Sequence, residues 1–359
     1  MKKKILMVCE SFGGGVFTYV SQLCNDMADD FDIYLAYSVR PQTPKNYKDV
    51  LNPKIHLIEI DDFNLSPNLL KDIKVIKKLR DLEQEIDPDI IHLHSSIAGG
   101  IGRLAFNRKN RHKKTSVVYT PHGYAFILME PSIKTKLYKL FEYELGKNSD
   151  AITLTCSKSE DEVASKLTKQ HTYIETGINL KDLSESLENL ESWDNKGKFT
   201  VYTLGRITGQ KQPQIFNKIA ELVPEANFLW IGDGEKRDLL TAPNIRVTGW
   251  KTRSEALSIA KGANAYVLCS RGEAIAESLI ENMYIKKVSL VSNVMGNVSV
   301  INNGINGFIC NTPEEYARCI KSVMNKKPIH LIKNAYTDVL NIYNSKVMKK
   351  KYLNFYDSL

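Results

Sequence analysis

Thr200-Val201-Tyr202-Thr203-Leu204-Gly205-Arg206-Ile207-Thr208-Gly209-Gln210-Lys211-Gln212-Pro213 is the stretch on which the fold turns. Its first five residues are mostly β-branched or apolar, Gly205 ends the run, and Pro213 suits a first helical turn, where its missing N–H would have had no partner. The segment therefore reads as strand, loop and helix. The same alternation extends in both directions. Ile5–Cys9, Ile33–Tyr37, Ile90–Leu93, Val117–Tyr119 and Ala151–Thr155 lie before it, and Phe228–Ile231, Ile245–Val247, Ala265–Leu268 and Val288–Val291 lie after it. Short apolar strands alternating with amphipathic helices imply βαβ units and parallel sheets covered on both faces, with ligands bound beyond the carboxyl ends of the strands. Between the two series, Leu180–Lys198 is polar and acidic and carries the turn signal Asn195-Lys196-Gly197. It reads as the connection between two doubly wound α/β domains. From about Tyr343 to Tyr356, Val347, Tyr352 and Phe355 stand among lysines, which reads as a helix docked elsewhere on the protein.

The 359 residues suit about two domains, and 43% hydrophobic with 25% charged residues is a globular mixture that excludes disorder and fibres. The net charge of +8 is unevenly placed. Residues 1–100 hold 12 basic and 15 acidic side chains, residues 101–150 hold 10 and 4, and residues 301–359 hold 9 and 4, so two segments carry the excess. Nucleic acid, an anionic membrane surface or a phosphorylated small molecule could use such segments, and so could plain solvation. Cysteines at 9, 24, 156, 269, 310 and 319 show neither CxxC nor an interleaved histidine at metal spacing. They read as reduced thiols, and the expected compartment is the cytoplasm. Lys2-Lys3-Lys4 is followed by only five apolar residues before Glu10, too few for a signal peptide, and no apolar run reaches the roughly 18 residues of a spanning helix.

Three loops could hold a phosphate or a sugar. Ile5–Cys9 runs into Glu10-Ser11-Phe12-Gly13-Gly14-Gly15, and Val16, Val20, Leu23 and Met27 mark one side of the helix that follows. Glycines between a strand and a helix N-terminus let backbone N–H groups approach an anion, although a plain glycine turn is the alternative. A nicotinamide enzyme is disfavoured, because GxGxxG is incomplete and no acidic residue ends the second strand. In the opening stretch, Gly209 precedes Gln210 where a P-loop has lysine, and the magnesium-binding hydroxyl is missing. Arg206 and Lys211 can instead neutralise a diphosphate directly, the arginine by a forked contact and the lysine as a point charge. After Ala265–Leu268 comes Ser270-Arg271-Gly272-Glu273-Ala274-Ile275-Ala276-Glu277-Ser278-Leu279-Ile280-Glu281. Glu273 falls in the loop and Glu281 about a turn and a half into the next helix, so both can reach the strand-end side. Carboxylates there accept paired hydrogen bonds from the diol of a sugar or ribose.

Together these residues resemble the GT-B nucleotide-sugar glycosyltransferases, in particular the retaining family 4 enzymes of bacterial capsule, exopolysaccharide and O-antigen synthesis. The resemblance covers nearly the whole chain. It is carried by Gly13-Gly14-Gly15, Pro121-His122-Gly123, Thr176-Gly177-Ile178-Asn179, Gly205-Arg206 with Lys211, Gly232-Asp233-Gly234-Glu235 and Thr248-Gly249-Trp250, by the Glu273 and Glu281 pair, and by Gly296-Asn297-Val298 with Asn303-Gly304-Ile305-Asn306-Gly307-Phe308. It implies two Rossmann-like domains facing a cleft: residues 1–178 on the acceptor side, 179–340 binding the nucleotide sugar, and 341–359 as a helix crossing back to the first. It implies that Gly14 and Gly15 lie at the donor, that Gly205, Arg206 and Lys211 grip the diphosphate in place of a metal ion, and that Glu281 binds the ribose. Gly249, Trp250 and Lys251 would line the base pocket. Glu273, with the amides around Ala276, Glu277 and Ser278, would hold sugar and phosphate at a helix N-terminus. His122, by its ring or backbone, would steady positive charge developing on the sugar. The implied function is retaining transfer from a nucleoside diphosphate sugar, with UDP as the expected nucleotide, to a glycan or polyprenyl-diphosphate-linked acceptor, without metal or cofactor.

Some positions depart from that pattern. Glu273-Ala274-Ile275-Ala276 stands where Glu-Gly-Phe-Gly is usual, and Glu281-Asn282-Met283 where Glu-Ala-Met is usual, which bears on the identity of the donor. Asp30-Phe31-Asp32 and Asp87-Pro88-Asp89 look like metal-binding DxD but precede strands, and read as strand-leading turns. The first basic segment holds Arg103, Arg108, Lys109, Arg111, Lys113 and Lys114, then Lys134-Thr135-Lys136-Leu137-Tyr138-Lys139-Leu140-Phe141. Either this second part contacts an anionic membrane peripherally at its cytoplasmic face, or Leu137, Leu140 and Phe141 are core and the lysines solvated. Lys346, Lys349, Lys350 and Lys351 are expected to join this segment in one basic face. Nucleic acid is not an expected partner, because no recognition motif or stacking platform accompanies the charge. The rival functions are a nucleotide-sugar epimerase or phosphorylase of the same fold, and a non-catalytic sugar-nucleotide-binding subunit.

Overall fold

The structure, a computed structural model, describes residues 2–61, 63, 69–109, 111, 114–188, 190–195 and 197–359. Lys113 of the basic segment and Lys196 of the turn signal lie outside these residues. The chain forms two compact units, one of Met1–Phe126, Pro131–Thr176 and Ser345–Leu359, the other of Ile127–Glu130 and Gly177–Asn344.

In the first unit, strands β1 (Lys4–Cys9), β2 (Asp32–Tyr37), β3 (His56–Glu59), β4 (Ile90–His94), β5 (Ser116–Thr120), β6 (Ile152–Thr155) and β7 (His171–Tyr173) alternate with helices. These are α1 (Gly14–Met27), α2 (Leu69–Ile86), α3 (Ser96–Ala105), α5 (Ile133–Asn148) and α6 (Lys158–Ala164), while α4 (Ala125–Leu128) is divided between the two units. All pairings are parallel, in the order β3, β2, β1, β4, β5, β6, β7. In the second unit, α7 (Leu180–Glu188) leads into β8 (Thr200–Leu204), α8 (Pro213–Leu222), β9 (Asn227–Ile231), β10 (Ile245–Val247), α9 (Arg253–Gly262), β11 (Ala265–Leu268) and α10 (Glu277–Tyr284). There follow β12 (Val288–Ser292), α11 (Asn297–Val300), β13 (Phe308–Cys310), α12 (Pro313–Asn325) and α13 (Ile329–Asn341). This sheet is also parallel, in the order β10, β9, β8, β11, β12, β13. The last helix, α14 (Ser345–Asp357), belongs to the first unit.

Both sheets are doubly wound, and each has one point where the strand order reverses, between β1 and β4 and between β8 and β11. Loops leaving two such strands diverge to opposite faces and open a crevice at the carboxyl ends, where α/β sheets bind ligands. The central strands are apolar on both faces because helices cover both: Ile5 to Cys9 and Ala265 to Leu268 are entirely buried. Alternation along β4 shows which helix covers which face. Leu93 fills the space left by Gly102 of α3, whereas neighbouring His92 bonds the Tyr356 hydroxyl of α14 at 2.6 Å.

Leu180–Lys198 is not a free connection. Its first half is α7, and Leu183, Leu187, Leu190 and Trp193 pack on the core of the second unit. The aspartates of both DxD strings lead into strands: Asp32 opens β2, and the Asp89 carboxylate accepts the Lys4 backbone N–H at 2.8 Å. The described cysteines are free thiols, and all but the half-buried Cys319 are buried. Among the described residues, no helix is long and apolar enough to cross a membrane.

Candidate active site

At the reversal point of the second sheet, the loop after β8 carries Gly205, Arg206 and Lys211, and the loop after β11 carries Ser270 and Glu273. Topology brings them together. Lys211 Nζ lies 2.6 Å from Glu273 Oε1, with both side chains largely buried. The same carboxylate accepts Ser270 Oγ at 2.5 Å and, through Oε2, Gln210 Nε2 at 3.3 Å. The two loops are also tied through backbone groups, since Arg271 N donates to Gln210 O at 2.8 Å and the Gln210 side chain, through Nε2, to Gly272 O at 2.9 Å. Glu273 N donates to Met295 O, which brings in the loop before α11. Gly296 is required there: its φ is +86°, and a side chain would run into the carbonyl oxygens of Glu273 and Ala274.

Arg206 is half-exposed and pairs with Glu235 at 3.2 Å instead of joining the Lys211 cluster. Gly205 has φ +136°, and its carbonyl accepts Trp230 Nε1 at 2.9 Å, which pins the loop start to β9. The positive end of α10 is left open to an anion, since Ala276 occupies the N-cap position with no side-chain cap. Ser278, in the first turn, shares a hydrogen bond with the Tyr266 hydroxyl at 2.8 Å. Burial, with the neighbouring Glu281 charge, pushes Glu277 up to about 8. Glu277 therefore puts little negative charge at this helix start near neutral pH. Burial likewise raises the Glu281 carboxyl, opposed by Arg253, whose Nη2 lies 3.0 Å from Glu281 Oε1. Gly249, with φ +74°, bridges to Gly232 across the ends of β9 and β10. Trp250 is 67% exposed beside it, and Lys251 pairs with Glu255 at 3.1 Å in the capping box of α9.

In the first unit, Gly13 is the N-cap of α1, and side chains at Gly14 and Gly15 would meet open space. His122 follows β5 in a left-handed conformation, φ +55°. Its Nε2 lies 3.0 Å from His94 Nδ1, its Nδ1 lies 3.5 Å from Cys156 Sγ, and its ring meets Tyr19 edge-on at 4.7 Å. Burial pushes His122 down to about 3, and holds His92 and His94 well below their usual range, so all three rings are neutral. The loop is anchored from beneath by buried Glu160, which accepts Gly123 N at 2.6 Å and Cys156 N at 2.8 Å and is pushed up to about 7 by desolvation.

The structure thus joins Lys211 with Glu273 directly, sets Arg206 and Glu281 in separate ion pairs of the same unit, and places His122, Gly14 and Gly15 in the other unit. Gln210, Ser270, Arg253, His94 and Glu160 escaped sequence reading. Only Glu160 carried a local signal, as the third residue of a helix capped by Ser157. Tertiary structure also divides the basic segments. Arg103 is buried against Glu142 at 2.7 Å and over the Tyr119 ring, and Arg111 pairs with Asp150 at 2.6 Å. Lys349 pairs with Asp30 at 2.8 Å, and Lys351 with Glu175. α14 packs against α1 and α5 against α3, on opposite faces of the sheet, so the two segments do not form one basic face.

Residues 13–182 match the model of Glycosyltransferase Family 4, and residues 187–338 that of Glycosyl transferases group 1. The chain is 25% identical over 331 residues, 82% of each chain, to the Escherichia coli UDP-Gal:alpha-D-GlcNAc-diphosphoundecaprenol alpha-1,3-galactosyltransferase. It is also 25% identical over 98% of each chain to an uncharacterised 41.2 kDa protein in the cps region of Klebsiella pneumoniae. Among solved structures, the sucrose-phosphate synthase of Thermosynechococcus elongatus shares the fold with a TM-score of 0.81 at 17% identity over 99% of both chains. Anabaena HepE in complex with UDP-glucose does so with a TM-score of 0.76 at 16% identity, over 99% of this chain and 100% of its own. The chain belongs to the family 4 glycosyltransferases of GT-B fold.

Proposed function

We propose that this glycosyltransferase moves a sugar, with retention and without a metal ion or cofactor, from UDP to a glycan or polyprenyl-diphosphate-linked acceptor of a surface polysaccharide. The observation that carries the reading is the Lys211–Glu273 pair on the two loops that diverge at the reversal point, beside the uncapped start of α10. A lysine, with Arg206 from the same loop, offsets the charge of a departing diphosphate. A carboxylate on the other, held by Ser270 and Gln210, accepts hydroxyl hydrogen bonds from the sugar. Glu281 reads the ribose, and Gly249, Trp250 and Lys251 line the base. The name of the Escherichia coli relative supports a UDP-linked donor and a lipid-diphosphate acceptor.

Retention follows a front-face path. The bond from C1 to the diphosphate oxygen breaks, the departing oxygen takes the acceptor hydroxyl proton, and the new C1–O bond forms on the same face. No carboxylate base is then required. His122 steadies the positive sugar through its main chain, since both ring nitrogens are bonded within the first unit.

The test is nucleoside diphosphate release from a panel of UDP-, GDP- and ADP-sugars with a lipid-diphosphate glycan acceptor, with and without EDTA. Acceptor-dependent UDP release that survives EDTA, with retained anomeric configuration by NMR, is expected. No release from any donor removes the activity, EDTA sensitivity removes metal independence, and product without acceptor indicates an epimerase.

A further inference from the structure

Helix α5 is turned inside out. Its inward side is polar: Thr135 and Glu142 are buried, the Glu142 carboxylate holds Arg103 at 2.7 Å, and it accepts the Tyr119 hydroxyl at 2.8 Å. Its apolar residues face solvent instead, with Ile133 79%, Leu137 59%, Leu140 56% and Phe141 47% exposed. At 3.6 residues per turn these four fall within an arc of about 100°. Lys134 borders the arc on one side, and Lys136 and then Lys139 on the other. Among the described residues, no carboxylate pairs with any of these three lysines, and Glu144 closes the stripe beyond Phe141. A helix anchored by a buried ion pair could have presented lysines and glutamates to water at no loss of packing. This one presents an isoleucine, two leucines and a phenylalanine.

We propose that α5 docks on an anionic lipid surface, with Ile133, Leu137, Leu140 and Phe141 entering the headgroup boundary and Lys134, Lys136 and Lys139 meeting lipid phosphates. Apolar stripe, flanking cations and low overall hydrophobicity are the physical requirements of a helix lying in the interface plane. A protein partner or a second copy fits less well, since two turns of helix fall far short of the roughly 20–30 residues a side of a standard interface. The proposal deepens the lipid-linked part of the proposed function, because it names the surface that would bring the enzyme to its acceptor.

The probe is flotation of the full chain with vesicles of phosphatidylcholine containing about 30% phosphatidylglycerol, against phosphatidylcholine alone. The chain should float with the anionic vesicles only, and binding should fall as salt rises from about 0.05 to about 0.5 M. Lys136→Gln with Lys139→Gln should lower the partition coefficient about twenty-five-fold, taking about fivefold per cation near the surface. Leu137→Gln with Leu140→Gln should lower it as well without changing the melting temperature, since both side chains are exposed. Wild-type chain that does not float, or variants that bind undiminished, overturn the proposal. So does a dimer that the leucine variant abolishes, which would assign the stripe to a second copy. UDP affinity measured on the same variants reports the donor site alone, so either reading can fail without the other.

Discussion

Glu273→Gln should strengthen the binding of UDP far more than that of the UDP-sugar. The difference follows from the geometry. Without donor, the Lys211 ammonium is neutralised by Glu273 at 2.6 Å, so a diphosphate must compete for it against a carboxylate already held by Ser270 and Gln210. A phosphate charge about 8 Å from that carboxylate, at an effective dielectric constant of about 20, meets about 2 kcal/mol of repulsion. Removing the negative charge while keeping the shape should therefore raise UDP affinity by about thirtyfold. The sugar loses a charged acceptor for its hydroxyl, a contact of about 1.5–3 kcal/mol, so the UDP-sugar should gain little or bind more weakly. Lys211→Met is the counterpart: it should weaken both ligands, and should also cost about 3 kcal/mol of stability by leaving a mostly buried carboxylate without its cation. Isothermal titration with UDP and UDP-sugar, alongside urea unfolding, reads all of these. If Glu273→Gln leaves UDP affinity unchanged or lowers it while the fold is intact, Glu273 does not compete with the diphosphate, and the donor-site assignment fails.

Glu281→Ala should weaken UDP about tenfold or more while leaving inorganic pyrophosphate unaffected, because two ribose hydrogen bonds are lost and no phosphate contact; equal losses for both ligands by titration would refute the ribose role. Glu160, raised to about 7 in the fold, keeps its proton longer than in the unfolded chain. Stability should therefore fall as pH rises from about 4.5 to 7, by up to about 3 kcal/mol from this group, and Glu160→Gln should flatten that part of the urea-stability profile; a slope identical to wild type would count against it. Arg103→Met strands the buried Glu142 carboxylate and should destabilise by about 3–5 kcal/mol, whereas Arg103→Met with Glu142→Leu should recover much of the loss, as urea midpoints will show.

The ten strands read from the sequence are all present: nine have a neighbour on either side and spell largely buried apolar runs, and β10, a half-buried edge strand of three residues, is marked by Ile245 and Val247. The three missed strands, β3, β7 and β13, sit at sheet edges. His56 to Glu59 is largely exposed, and His171 to Tyr173 and Phe308 to Cys310 are three residues each, so neither apolarity nor length marks them. The helix within the connection, α7, is hidden for the opposite reason. Leu183 and Leu187 of α7, and Leu190 and Trp193 of the segment after it, pack on one core, but the acidic residues between them hide the pattern.

Sequence by itself determined the fold class and the chemistry within reach of each strand end, since side-chain period and glycine position act locally. Which residues share charge was decided only in three dimensions. Lys211 meets Glu273, 62 positions away, because β8 and β11 are neighbours at the reversal point, and no local rule specifies that adjacency. The same holds for α5. Its spacing of leucines and lysines is that of many core helices, and it takes the buried Arg103–Glu142 pair, formed across α3 and α5, to turn the polar side inward and leave the apolar stripe facing out.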